Sequence, residues 1–174
     1  MMMTLQRRLY TAAASVQGGR EGHGRSSDGV LDLDIRPPKE LGGSGVGTNP
    51  EQLFALGYGA CFQSAMRTVG RRLGVDTSGS TVTARVTLGS VEGGRYGIAV
   101  ELDVAIPDVE RETAEQVVKA AHEVCPYSNA TRGNIEVTLN VVGASSSPEG
   151  QDRRTHPSGF ASGPPSPSSH TREE

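Results

Sequence analysis

The 174-residue chain has no tryptophan, only two cysteines and no strong bias of charge, with 17 Lys and Arg against 20 Asp and Glu for a net charge of −3. That balance gives no electrostatic reason for nucleic acid or an anionic membrane to be a partner. No run approaches the roughly 18 consecutive apolar residues of a membrane-spanning helix. Behind Arg7 and Arg8, the stretch from Leu9 to Val16 is interrupted by Thr11, Ser15 and small alanines, unlike the apolar segment of a secretion signal. The expected compartment is therefore cytoplasmic, where Cys61 and Cys125 are not expected to be a permanent disulfide staple. His23, His122, His156 and His170 show no paired ligand spacing, so no metal is expected. The glycine-rich run Gly42 to Thr48 lacks the lysine that a phosphate loop places after its last glycine, and no cofactor is expected either.

Composition changes abruptly near residue 144. Of the 31 residues from Ala144 to Glu174, eight are Ser, five Pro and three Gly, with no Ile, Leu, Val or Met and only Phe160 as an aromatic. Such a segment buries too little apolar surface to offset its ordering entropy. The expected organisation is one folded domain over 1–143 and a disordered tail over 144–174.

Within the domain, Leu5 to Val16 reads as a strand and Gln17 to Gly24 as a polar, glycine-rich turn carrying Arg20. In Val30 to Ile35, Leu31, Leu33 and Ile35 alternate with Asp32 and Asp34, which predicts one buried and one wet face. A helix is expected from Thr48 to about Leu73. Thr48 and Glu51 have capping-box spacing, Pro50 sits in the first turn, and Gly74 supplies the stop. Phe54, Gly57, Tyr58, Cys61, Ala65 and Thr68 share one face of it. Thr81 to Val91 and Tyr96 to Ile106 form a hairpin around Gly93 and Gly94. Glu110 to Val124 is a second helix with Ala114, Val117, Val118 and Ala121 inward, ended by Pro126, and Ile135 to Val141 alternates as the last strand. The order of three strands, helix, two strands, helix and strand predicts an α+β fold, mostly antiparallel, with a thin core that dimerisation would reinforce.

The two cysteines are the most suggestive chemistry. Ser128 stands where a Cys-x-x-Cys motif starting at Cys125 would need its second cysteine, so any disulfide within the chain must join Cys61 to Cys125, 64 positions apart. A thiol pair on inward faces of two helices fits either a catalytic cycle or a non-enzymatic redox sensor or binding protein. Taken without further context, Glu51 is a helix-capping residue and Arg20 a solvated charge.

Three blocks add a resemblance. Gly47-Thr48-Asn49-Pro50-Glu51-Gln52-Leu53-Phe54 with Gly57-Tyr58 and Ala60-Cys61-Phe62, then Val124 to Asn134 around Cys125, and Gly19-Arg20-Glu21-Gly22 followed by Ser27-Asp28-Gly29 resemble the organic hydroperoxide resistance (Ohr) proteins of the OsmC superfamily. The resemblance covers roughly residues 5 to 143. It implies an OsmC-like fold of mostly antiparallel sheets around two main helices, assembled as an intertwined homodimer with active sites at the subunit interface. It further implies a thiol peroxidase acting on organic hydroperoxides, with Cys61 as the peroxidatic and Cys125 as the resolving cysteine, and with Arg20 and Glu51 as the charged pair supporting the thiolate. The alternative within the superfamily is a peroxidase of the neighbouring OsmC branch, with a broader peroxide range. A dihydrolipoyl dithiol on a lipoylated protein is the implied reductant. Phe54, Tyr58, Phe62 and Tyr127 lie near the cysteines in sequence and are the candidate substrate-binding residues, favouring alkyl or lipid hydroperoxides over hydrogen peroxide. Ten residues separate Glu51 from Cys61, about 15 Å along a straight helix. Bringing the pair to the thiol therefore requires a broken helix, a bridging Arg20 or a partner subunit.

Overall fold

The computed structural model of the protein describes residues 3–143, so the expected tail over 144–174 lies outside the described residues. The observed architecture is α+β. Three short strands, β1 (Ala14–Gln17), β2 (His23–Ser26) and β3 (Asp32–Asp34), form one antiparallel sheet in that order. A 24-residue helix α1 (Pro50–Leu73) follows. Then come β4 (Thr81–Val91), β5 (Arg95–Ala105), helix α2 (Arg111–Val124), a short helix α3 (Pro126–Thr131) and β6 (Val137–Val141).

The second sheet has the order β4-β5-β6. Strands β4 and β5 pair antiparallel from Thr81↔Ala105 to Val91↔Arg95, the hairpin that strict alternation predicts, with Gly93 and Gly94 at positive φ in its turn. Strand β6 instead lies parallel to β5. That arrangement needs a crossover, and α2 with α3 provides it. The core sits between this sheet and the helices. Tyr58, Phe62, Ala65, Met66 and Val69 of α1 meet Val100, Leu102 and Val104 of β5, Ala114, Val117, Val118 and Ala121 of α2, and Cys125. Each fully buried Val, Leu, Phe or Met side chain here contributes about 1.5–3 kcal/mol of transfer free energy. The expected inward face of α2 is the observed one.

Three local expectations are corrected and a fourth is extended. The strand expected over Leu5 to Val16 is paired only at Ala14–Gln17; Leu5, Leu9 and Tyr10 are exposed and, within one chain, have no neighbouring strand to satisfy their backbone groups. The N-cap of α1 is Asn49, whose Oδ1 accepts from the Gln52 amide at 2.9 Å, rather than Thr48, whose hydroxyl bonds the Gln52 side chain at 3.1 Å. Thr68 lies outside the buried stripe of α1 and bonds back to the Ser64 carbonyl. Pro126 both follows α2 and starts α3, since a proline that cannot continue one helix is well suited to the first position of the next. Gly74 at φ 69° closes α1 as expected.

The first sheet contributes no residue to the main core cluster. It is tied to the start of α1 through backbone: Arg36 N–H donates to the Thr48 carbonyl at 2.8 Å and Thr48 N–H to the Asp34 carbonyl at 2.9 Å. This junction sets the turn that carries Arg20 beside the first turn of α1.

Candidate active site

Two pairs of the expected site residues come together. The first is Arg20 with Glu51. Arg20 occupies a single 3-10 turn, Gly19–Glu21, entered through Gly18 at φ 77°. The turn returns tightly to β2, and a Cβ on Gly22 would fall 1.8 Å from the Gln17 carbonyl oxygen, so only glycine fits there. Arg36 secures the exit, its Nη1 donating to the carbonyls of Gly22 at 2.6 Å and Ile35 at 2.7 Å. Across the junction, Arg20 Nη1 and Nη2 donate to Glu51 Oε2 and Oε1 at 2.9 and 2.6 Å, a two-point fork. Because Asn49 caps the helix, the Glu51 carboxylate is free for this role. The guanidinium holds the Glu51 carboxyl below its ordinary pKa, and the carboxylate in turn raises that of Arg20.

The second pair is Cys61 with Cys125. Cys61 lies on the inner face of α1 and Cys125, fully buried, links α2 to α3, with their sulfurs 3.6 Å apart. Both are free thiols. Burial pushes the Cys61 thiol up from its ordinary pKa, while a hydrogen bond from the backbone N–H of Tyr127 pulls the other way. That amide was not anticipated from the sequence. Its signal was the Cys125-Pro126 step, since proline favours the first position of a helix and the first N–H groups of any helix have no partner within it.

The four aromatic candidates divide. Phe54 and Tyr127 stack with ring centroids 5.7 Å apart and planes 4° from parallel, and Tyr58 meets both edge-on at 5.9 and 5.5 Å. Tyr127 is 38% exposed and Phe54 partly buried, so this stack is open to solvent beside Cys61. Gly57 makes room for it, because a Cβ there would lie 2.9 Å from the Tyr127 hydroxyl. Tyr58 and Phe62 are fully buried instead and, within one chain, present no surface to a substrate, so they leave the substrate-facing set. The Tyr58 hydroxyl donates to Ser128 Oγ at 3.0 Å and lies 3.2 Å from Thr131 Oγ1, two partners that sequence reasoning missed.

Within one chain the two pairs remain apart. Helix α1 is continuous through Gly57 and Gly59, so Glu51 and Cys61 lie about 15 Å apart along its axis. A broken helix is thereby excluded as the way to unite them. Among the described residues there is no group of three or more His, Cys, Asp or Glu that could hold a metal ion, and no helix long and apolar enough to cross a membrane.

The chain is similar to known proteins in both sequence and fold. The family model described as OsmC-like protein matches residues 42–140. The organic hydroperoxide resistance protein of Xanthomonas axonopodis pv. citri (strain 306) is 49% identical over 143 residues, 81% of this chain and 100% of that protein. Among solved structures, an organic hydroperoxide resistance protein from Elizabethkingia anophelis, with a crystallant-derived thiocyanate bound, superposes at TM-score 0.75 with 50% identity, covering 79% of this chain and 99% of that one. The organic hydroperoxide resistance protein OhrB of Bacillus subtilis does so at TM-score 0.72 with 46% identity, covering 78% and 100%. With its fold and its relatives in agreement, the chain belongs to the OsmC family, among the organic hydroperoxide resistance proteins.

Proposed function

We propose that the protein is a cytoplasmic thiol peroxidase that reduces organic hydroperoxides to alcohols. The observation that carries this reading is the 3.6 Å approach of Cys61 to Cys125, two free thiols from separate helices. In the proposed cycle the Cys61 thiolate attacks the distal oxygen of the peroxide. The O–O bond breaks, the alkoxide leaves and takes a proton, and Cys61 becomes a sulfenic acid. Cys125 then attacks that sulfur, water departs, and a disulfide joins the two. A dihydrolipoyl dithiol returns both to thiols by exchange, becoming the cyclic disulfide itself.

A partly buried thiol whose pKa is raised is a poor nucleophile, so this cycle needs a cation beside Cys61. Arg20, aimed by Glu51, is suited to stabilise both the thiolate and the departing alkoxide. Since one continuous helix keeps that fork away from its own Cys61, we assign it to the Cys61 of a second copy in a homodimer. The exposed apolar side chains of a single chain favour such an assembly, among them Leu5, Leu9, Val30, Leu31 and, on α1 itself, Leu56 at 73% exposure. Phe54 and Tyr127 offer an apolar wall to the organic group, which hydrogen peroxide lacks. The catalytic unit in this reading is residues 1–143. Steady-state consumption of cumene hydroperoxide with dihydrolipoamide as reductant tests the reading, and loss of that turnover in Cys61→Ser is the expected result.

A further inference from the structure

Helix α3 has six residues, too few to hold a helical conformation by itself in water. Yet the Cys125 sulfur that meets Cys61 stands at its N-cap. Something must fix α3 against α1. The aromatic stack of Tyr127 on Phe54 is partly exposed. The other link is a closed knot of hydroxyls. Tyr58 Oη donates to Ser128 Oγ at 3.0 Å and sits 3.2 Å from Thr131 Oγ1, while Thr131 Oγ1 donates to the Tyr127 carbonyl at 2.9 Å. Tyr58 and Ser128 are fully buried and Thr131 is 7% exposed. Tyr58 also precedes Cys61 by three residues, one turn of the same helix face. Its phenol therefore spans from the Cys61 turn of α1 to both turns of α3.

We propose that the Tyr58 hydroxyl, through Ser128 and Thr131, is a positioning group for the resolving step, holding Cys125 where it intercepts the Cys61 sulfenic acid. This rests on the thiol peroxidase reading. Two reactions compete for that sulfenic acid. In one, the Cys125 thiol displaces hydroxide, S–O breaks, S–S forms and water leaves, Cys61 being reduced and Cys125 oxidised. In the other, a second hydroperoxide transfers an oxygen to give the sulfinic acid and an alcohol, ending the cycle. The sulfurs must close from 3.6 Å to about 2.05 Å, so a loosened α3 penalises only the first reaction.

The test uses full-length protein, Tyr58→Phe and Ser128→Ala, which approach the knot from opposite sides, and Val69→Ala as a core variant on α1 remote from α3. Reduced protein is treated with stepped cumene hydroperoxide, and loss of the Cys61 thiol is followed together with the ratio of disulfide to sulfinic acid by peptide mass spectrometry. The expected result is near-native first oxidation of Cys61 in all three. The ratio falls about fivefold in Tyr58→Phe and Ser128→Ala, the effect of one buried hydrogen bond, and is unchanged in Val69→Ala. A native ratio in both knot variants, or an equal fall in Val69→Ala, overturns the positioning role. Failure of native Cys61 to react with the peroxide at all overturns the peroxidase reading instead.

Discussion

Arg20 and Glu51, 31 residues apart, meet through two parallel hydrogen bonds of 2.9 and 2.6 Å. One comes from a glycine-held turn and the other from the first turn of α1. The pair is only partly shielded, with Arg20 44% and Glu51 16% exposed, so it adds little to stability. Its value is direction. A carboxylate fork fixes the plane of the guanidinium, which a single acceptor cannot do. Glu51→Gln should therefore lower kcat/KM for cumene hydroperoxide by about tenfold to a hundredfold, the range of one charged hydrogen bond. Its melting temperature should stay near native. Arg20→Lys should behave similarly, since an ammonium lacks the planar fork.

If the fork of one copy serves the thiol of another, inactive variants should complement. A mixed dimer of Cys61→Ser and Arg20→Ala contains one site with both Cys61 and Arg20 intact. Co-refolded mixtures should regain turnover that neither variant shows alone, measured as peroxide consumed per dimer. No recovery, with mixed dimers verified by native mass spectrometry, would place both residues in one chain's site.

The sheet beside Arg20 carries a histidine–carboxylate clamp between β2 and β3. His23 bridges Asp34, at 3.0 Å from Nδ1, and Asp32, at 2.6 Å from Nε2, and these bonds raise its pKa above the ordinary 6.5. Arg25 and Arg36 also approach these carboxylates. A raised folded pKa stabilises the folded form fully below the unfolded value, and that contribution is lost as pH rises through the folded value. The protection factors of the β2 and β3 amides, with the intrinsic pH dependence of exchange removed, should accordingly fall above the His23 titration seen by NMR. In His23→Gln that step in exchange should vanish.

Gly57 separates packing from propensity. Alanine there favours the helix by about 1 kcal/mol, yet its methyl would press on the Tyr127 ring, with Oη at 2.9 Å and Cε2 at 3.1 Å. Because Tyr127 is partly exposed, the ring can swing outward rather than unfold the helix. Gly57→Ala should keep or gain thermal stability while its KM for cumene hydroperoxide rises severalfold. Its rate with hydrogen peroxide should change little.

Much of the fold was legible because its signals are local. Alternation fixed the β4–β5 hairpin, and the 3.6-residue period fixed the inward face of α2. What escaped depends on tertiary context. The choice of Asn49 over Thr48 as cap turns on one residue of register, and both types cap well. The parallel placement of β6 depends on where α2 and α3 deliver the chain, which no pattern inside β6 records. For the site, the cysteines stood out by their rarity. The joining of Arg20 to Glu51 was suggested only by family resemblance, since an arginine in a turn and a glutamate at a helix start each have an ordinary local explanation. Ser128 and Thr131 gave no sign of their role, because only the arrival of Tyr58 from α1 makes their hydroxyls matter.

The most direct measurement is multiple-turnover peroxide consumption by the native protein and by Cys61→Ser, with cumene hydroperoxide or hydrogen peroxide and dihydrolipoamide as reductant. Sustained turnover that prefers the organic peroxide and disappears in the variant is the outcome expected of a thiol peroxidase. A single stoichiometric oxidation of the native protein without further turnover, or equal consumption by Cys61→Ser, would contradict it.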